Sequence, residues 1–165
     1  MIRYENPADT PAIRSIHHTA FGRPDEADLV DSLRAEGVIV LSLVAESREQ
    51  AIGHILFSRM SIDTPTSSIP AVSLAPLAVL PAHQRQGIGE QLIRRGLAIL
   101  REQGERIVIV LGHPNYYPRF GFSTHNTRNL QSPFPPHALM ALELSPRSLD
   151  GIGGKVRYPA AFGLS

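Results

Sequence analysis

Leu77-Ala78-Val79-Leu80-Pro81-Ala82-His83-Gln84-Arg85-Gln86-Gly87-Ile88-Gly89-Glu90-Gln91-Leu92-Ile93 decides how the chain is read. An apolar run stops at Pro81, two glycines sit in a short polar loop, and an amphipathic segment begins at once. In that segment Leu92, Ile93, Leu97 and Leu100 share one helical face, while Arg94, Arg95 and Arg101 lie on the other. The order is strand, glycine loop, helix. Such a junction makes an anion site in three ways. The turn exposes consecutive amides, the helix N-terminus leaves donors unpaired, and the helix dipole adds about half a positive charge. Gly87 and Gly89 remove the side chains that would hold a phosphate away. A P-loop reading fails because it needs Lys-Ser/Thr after its last glycine, and the only lysine is Lys155. A dinucleotide fingerprint fails as well: Leu92 stands where its third glycine belongs, and three strands already precede the unit. A tight turn whose glycines merely pack helix on strand stays open on these residues alone.

Outward from this junction the periodicity alternates. Ile2 to Tyr4 reads as a short strand. Asn6-Pro7 or Thr10-Pro11 offers a cap with proline at the first helical position, and Ile13, Ile16, His17 and Ala20 follow at helical spacing toward Gly22. A second helix is expected from Asp25 to Glu36, with Gly37 as its stop. Val38 to Ala45 and Ala51 to Arg59 are apolar runs around a polar Glu46–Gln50 turn, the pattern of a β-hairpin. Asp63 to Pro70 reads as a loop and Ala71 to Val79 as a third long strand. Pro76, which cannot donate to a ladder, predicts an edge or a bulge there. Beyond the amphipathic helix, which stops at Gly104, Ile107 to Leu111 is a strand with the character of full burial. Ala138 to Leu144 and Lys155 to Tyr158 are further strands, with a turn at Gly151–Gly154. No repeat or linker divides the chain, so one domain over residues 1–165 is expected.

Two motifs in register then suggest a family. The stretch around Gln84, Gly87 and Gly89 resembles motif A of the GNAT acyl-CoA N-acyltransferase superfamily, with its Gln/Arg-x-x-Gly-x-Gly/Ala core. Tyr117-Pro118-Arg119-Phe120-Gly121-Phe122 is similar to that family's Tyr-x-x-x-Gly-Phe segment after the fifth strand. The resemblance covers about residues 1 to 125. It implies an α/β (α+β) fold: a mixed central sheet of about seven strands, a bulged fourth strand and helices on both faces. It implies that Gln84, Arg85, Gln86, Gly87, Ile88 and Gly89 hold the pyrophosphate of acetyl-CoA. Leu77, Ala78 and Val79 would then run beside the pantetheine, pairing through their main chain.

Acetyl transfer to an amine requires a neutral nucleophile, a polarised thioester, a donor for the oxyanion and a proton for the leaving thiolate. The resemblance places Tyr117 near the sulfur as the acid, with Tyr116 as the neighbour that takes the role if the register slips, and assigns the Val79 amide to the oxyanion. No cysteine occurs, so a cysteine acyl-enzyme is excluded and direct transfer in a ternary complex is favoured. Many members of the family carry a carboxylate on the fourth strand, but Ser73 to Val79 contains none. His54, His113, Glu26 or a water chain are left as candidates for the base. Adjacent on one helix, His17 and His18 point apart and read as no metal site.

The composition sets the outer bounds. At 165 residues the chain should bury roughly 70% of its unfolded surface without disulfide or metal. A net charge of +1 argues against a nucleic-acid binder. No run approaches a membrane span and no apolar leader is visible, so the expected location is cytoplasmic. An amine acceptor and possible homodimerisation complete the expectations; a non-catalytic acyl-CoA-binding module is the competing reading.

Overall fold

The computed structural model describes residues 1–164. The elements follow in chain order as β1 (Ile2–Tyr4), α1 (Thr10–Phe21), α2 (Asp25–Glu36), β2 (Ile39–Ser47), β3 (Gln50–Asp63), β4 (Ser68–Val79), α3 (Ile88–Glu102), β5 (Ile107–Leu111), β6 (Leu130–Gln131), β7 (Leu139–Glu143) and β8 (Gly154–Arg157). They form one sheet along the path β1-β2-β3-β4-β5-β7, with β8 paired to the far end of β3 and β6 paired to β8. Eight strands are present, one more than expected. The two-residue β6 has too few positions to show an alternating pattern. All pairs are antiparallel except β4–β5 and β6–β8.

Helices cover both faces, as alternation along the strands requires. Ile13 of α1 and Val30 and Leu33 of α2 bury against Val44 of β2 and Leu56 of β3. Leu92, Ile93, Leu97 and Leu100 of α3 cover Leu43, Ile55, Phe57, Val108 and Val110 on the opposite face. Each fully buried side chain of this size contributes about 1.5–3 kcal/mol from area removed from water. A third cluster joins Met60, Ile62, Ile107, Ile109 and Leu139 to Leu149 and Val156 of the C-terminal segment. No helix among the described residues is long and apolar enough to cross a membrane.

One expectation changes and another is narrowed. Half of the Asp63–Pro70 loop is strand, because Ile62 continues the buried set of β3 while Ser61 and Asp63 face outward as its polar alternation. Only Thr64–Ser67 turns, held by the Thr64 hydroxyl accepting from the amides of Thr66 and Ser67. Pro76 is not on an edge, since β4 lies between β3 and β5. It lies in a bulge. Leu77 faces Ile55 and Leu74 faces Phe57, so three steps on β4 match two on β3. The parallel pairing of β4 with β5 is confined to Val72 with Val108 and Ser73 with Ile109. Past Ser73 the two strands part, and the missing amide of Pro76 falls where the ladder has already opened.

Candidate functional site

The opening between β4 and β5 leads to a cavity of about 560 Å³. Leu77, Ala78, Val79, Gln84, Arg85, Gly87, Ile88 and Gly89 line it, with His83, Glu90, Tyr116 and Arg119. Eight of the residues singled out from the glycine junction are therefore brought together. Gln86 is not among them: it lies in a separate shallow depression with Met1, Ser47 and Gln91.

The loop has the form of an anion cradle. Gly87 precedes α3 at φ 82°, a left-handed conformation in which a β-carbon is disfavoured. The first helical hydrogen bond runs from Gln91 N to Gly87 O at 3.0 Å, leaving the amides of Ile88, Gly89 and Glu90 without intrahelical partners. A β-carbon at Gly89 would stand 3.4 Å from the Tyr116 hydroxyl, inside the cradle. Arg119 lies over the Tyr116 ring at 4.9 Å and brings a second guanidinium to the cavity beside Arg85. Arg119 was not singled out from sequence, although a basic residue two positions after Tyr117 was the available signal.

The β4 wall follows from ladder parity. Leu80 N donates to Ile52 O at 2.8 Å, so Ile52–Leu80 is a hydrogen-bonded pair and Gly53–Val79 is the next, non-bonded one. The N–H and C=O of Val79 therefore face away from β3, and two residues earlier those of Leu77 do the same. With β5 gone from this edge, both residues turn main-chain groups toward the opening. Gln84 Nε2 donates to Val79 O at 2.9 Å, tying the loop to the end of the strand and leaving the Val79 amide open.

Tyr117 does not line the cavity. It is packed behind Tyr116, edge-on to Tyr116 at 5.2 Å and to Phe122 at 5.7 Å, with its ring against Gly112. Burial, and secondarily the neighbouring Tyr116, push its phenol up to about 12. Burial also raises Tyr116; Arg119 opposes that and Glu90 adds to it.

The base candidates are scattered. His113 is exposed, and its carbonyl accepts from the Tyr116 amide at 3.1 Å. Glu26 is held by Arg23 at 2.6 Å, which lowers its pKa, and it lines a different groove beside α2. His54 is fully buried on the α1/α2 face. Its Nδ1 lies 2.7 Å from His17 Nε2 and its Nε2 lies 2.8 Å from Ser42 Oγ, which donates to Glu5 Oε1 at 2.6 Å. These contacts span 37 residues of chain between the two rings, so local spacing carries no sign of them. Among the described residues no three His, Asp or Glu side chains are grouped as metal ligands.

Comparison with known proteins finds a matching family model and similar chains. A family model described as an acetyltransferase (GNAT) domain matches residues 1–125. YhbS of Escherichia coli K12, named an uncharacterized N-acetyltransferase, is 36% identical over 165 residues, covering 98% of each chain. YjhQ of the same strain, named likewise, is 42% identical over 131 residues, 78% of this chain and 72% of its own. The crystal structure of E. coli YhbS in complex with CoA superposes with a TM-score of 0.91, covering 99% of this chain and 92% of that one. A GNAT family acetyltransferase from Brucella melitensis in complex with acetyl-CoA is 39% identical, with a TM-score of 0.82 over 98% and 97% of the two chains.

Proposed function

The chain belongs to the GNAT acetyltransferase family, and from that membership we propose that it transfers an acetyl group from acetyl-CoA to a primary amine of a small molecule or peptide, by direct attack within a ternary complex. The observation that carries this reading is the coincidence of an open strand edge and an anion cradle in one cavity. The relatives bound to CoA and acetyl-CoA support acetyl-CoA as the donor. The unpaired amides of α3 and the Arg85 and Arg119 guanidinium groups suit its phosphates. The main-chain groups of Leu77, turned away from β3, suit an amide of its pantetheine arm.

Two of the remaining requirements are then assigned to residues. The Val79 amide, aimed into the opening, donates to the oxyanion that forms on the thioester carbonyl. Tyr117 is kept as the proton source for the leaving thiolate on its motif position, although its ring sits behind Tyr116 and outside the cavity lining. The Tyr117 ring rests on Gly112, just past the end of β5 beside the opening, which supports this assignment. Tyr116, whose hydroxyl approaches Gly89, belongs to the phosphate level. A phenol near 12 stays protonated at neutral pH and gives up its proton only to a thiolate held against it.

The test is release of thiol from acetyl-CoA that depends on an added amine. Tyr117→Phe is expected to lower kcat by about 10²-fold while acetyl-CoA still binds; Tyr116→Phe is expected to act mainly on affinity for the donor. The opposite pattern would reassign the acid, and thiol release indifferent to amine would remove the transferase reading.

A further inference from the structure

A donor whose pyrophosphate rests on the amides of α3 must place the ribose beyond it outside the cradle. Two ways lead out, and charge separates them. One runs over the loop into the shallow depression beside Met1 and Glu46, since His83 and Ile88 border both spaces. The cations tied to that depression are already engaged. The Met1 ammonium donates to the Glu46 carbonyl at 2.9 Å, and Arg3 pairs with Glu46 at 3.2 Å and with Asp9 at 2.8 Å.

The other way passes the first turn of α3. Glu90, Tyr116 and Arg119 line the donor cavity there. A carboxylate beside phosphates is repulsive unless a cation screens it, and Arg94 supplies one. Glu90 Oε1 lies 3.1 Å from Arg94 Nε and 3.0 Å from Nη2. The Arg94 guanidinium also lies 4.9 Å over the centre of the Phe120 ring. Phe120 meets Tyr116 edge-on at 5.4 Å, and Arg119 caps the Tyr116 ring at 4.9 Å. Arg94, Phe120, Tyr116 and Arg119 thus form one continuous stack, with one end in the cavity lining and the other on α3.

Helix geometry explains how Arg94 comes to this place. Residues four apart share a helix face, and helical side chains lean toward the N-terminus, so the guanidinium is carried back to the first turn, where the cradle is. As a stabilising pair on an exposed face, Glu90 and Arg94 would contribute little. What the two contacts do is fix a long side chain in one position before any ligand arrives, which lowers the entropy that binding must remove. Phe120, the platform beneath it, is buried. More than half of the Arg94 side chain stays open to solvent, and its Nη1 donates to nothing among the described residues.

The ribose of CoA carries a 3′-phosphate with about −1.5 to −2 charges near neutral pH. It stands about one helical turn from the 5′-phosphate, within reach of Arg94 when the pyrophosphate occupies the cradle. We propose that Arg94, positioned by Glu90 and Phe120, is the specificity residue for this 3′-phosphate, so that the chain selects free CoA thioesters over thioesters on a protein-bound phosphopantetheine, which has no adenosine. This rests on the acetyl-CoA reading above.

Calorimetry with CoA, 3′-dephospho-CoA and 4′-phosphopantetheine tests it without an acceptor amine. The wild type is expected to bind CoA about tenfold tighter than 3′-dephospho-CoA, as a charge-assisted contact allows, and phosphopantetheine no tighter than 3′-dephospho-CoA. Arg94→Gln should lower CoA affinity about tenfold and change that for 3′-dephospho-CoA less than about twofold, closing the gap. Arg95→Gln removes the neighbouring exposed charge and should keep the gap. Equal wild-type affinity for CoA and 3′-dephospho-CoA would overturn the proposal. So would a gap that survives Arg94→Gln, which would send the nucleotide over the loop toward Met1, or one that Arg95→Gln closes equally, which would reduce the effect to net charge. A wild type that shows the preference but releases no thiol with any amine would support the Arg94 assignment and remove the transfer reading. A wild type that binds no CoA would remove both.

Discussion

At the scale of single residues, Gly89 is the position where the glycine loop is most exposed to test. A β-carbon added there meets the Tyr116 hydroxyl at 3.4 Å and Val79 Cγ2 at 4.0 Å, both at ordinary contact distance. Gly89→Glu therefore leaves the fold intact and puts a carboxylate into the space meant for phosphate. Acetyl-CoA binding, read by calorimetry, should weaken at least about tenfold, since like charges in a partly desolvated cradle cost more than about 1.4 kcal/mol. Gly87 and Gly89 were legible in the sequence because a phosphate cradle demands small residues at fixed spacing. The use of Gln84 was not: its side chain spends its donor on the Val79 carbonyl, a contact that needs the strand end and the loop folded together. Tyr117 was legible as a motif position, but its burial behind Tyr116 was not, because neighbouring tyrosines in a turn give no sign of which one faces the opening.

At the scale of elements, α3 is held to the sheet by a contact with no slack. A β-carbon at Gly96 would lie 2.5 and 2.7 Å from two atoms of the Phe57 ring, and that ring is fully buried. Gly96→Ala should accordingly destabilise the protein by about 1–3 kcal/mol, despite alanine's better helix propensity. A denaturant midpoint equal to or above the wild type would show that α3 is free to shift. The helices and central strands could be read from periodicity because their buried faces are continuous. The ends of β3 and β4 could not, since Ser61, Asp63 and Ser68 are the outward half of an alternation whose inward half was too short to stand out. Pro76 left edge and bulge equally open. The choice depended on β5 reaching β4 only at Val72 and Ser73, a non-local fact.

At the scale of the whole molecule, the buried histidine pair makes stability depend on pH. Both rings have lowered folded pKa values, His17 to about 3, against about 6.5 in the unfolded chain. The unfolded state therefore binds more protons below 6.5. Stability is full above that pH and falls as acid is added, approaching about 1.4 kcal/mol per pH unit for each ring. Glu5, lowered to about 2, adds a further loss from about pH 4.5 downward. Denaturant titrations at pH 7, 6 and 5 should show the decline, and a flat profile would mean that the rings are not held neutral in the fold. This network was the least legible part of the sequence: Glu5 follows β1, while His17, Ser42 and His54 come from α1, β2 and β3, and they meet only when α1 lies on the sheet. Acetyl transfer is proposed at the cavity between β4, α3 and the Tyr116–Arg119 turn. Initial rates of thiol release from acetyl-CoA, with and without a primary amine, for wild type and Gly89→Glu side by side, test that placement most directly. Amine-dependent release by the wild type, reduced at least about tenfold in Gly89→Glu at subsaturating donor, is the predicted result; equal amine-dependent rates in the two proteins would contradict it.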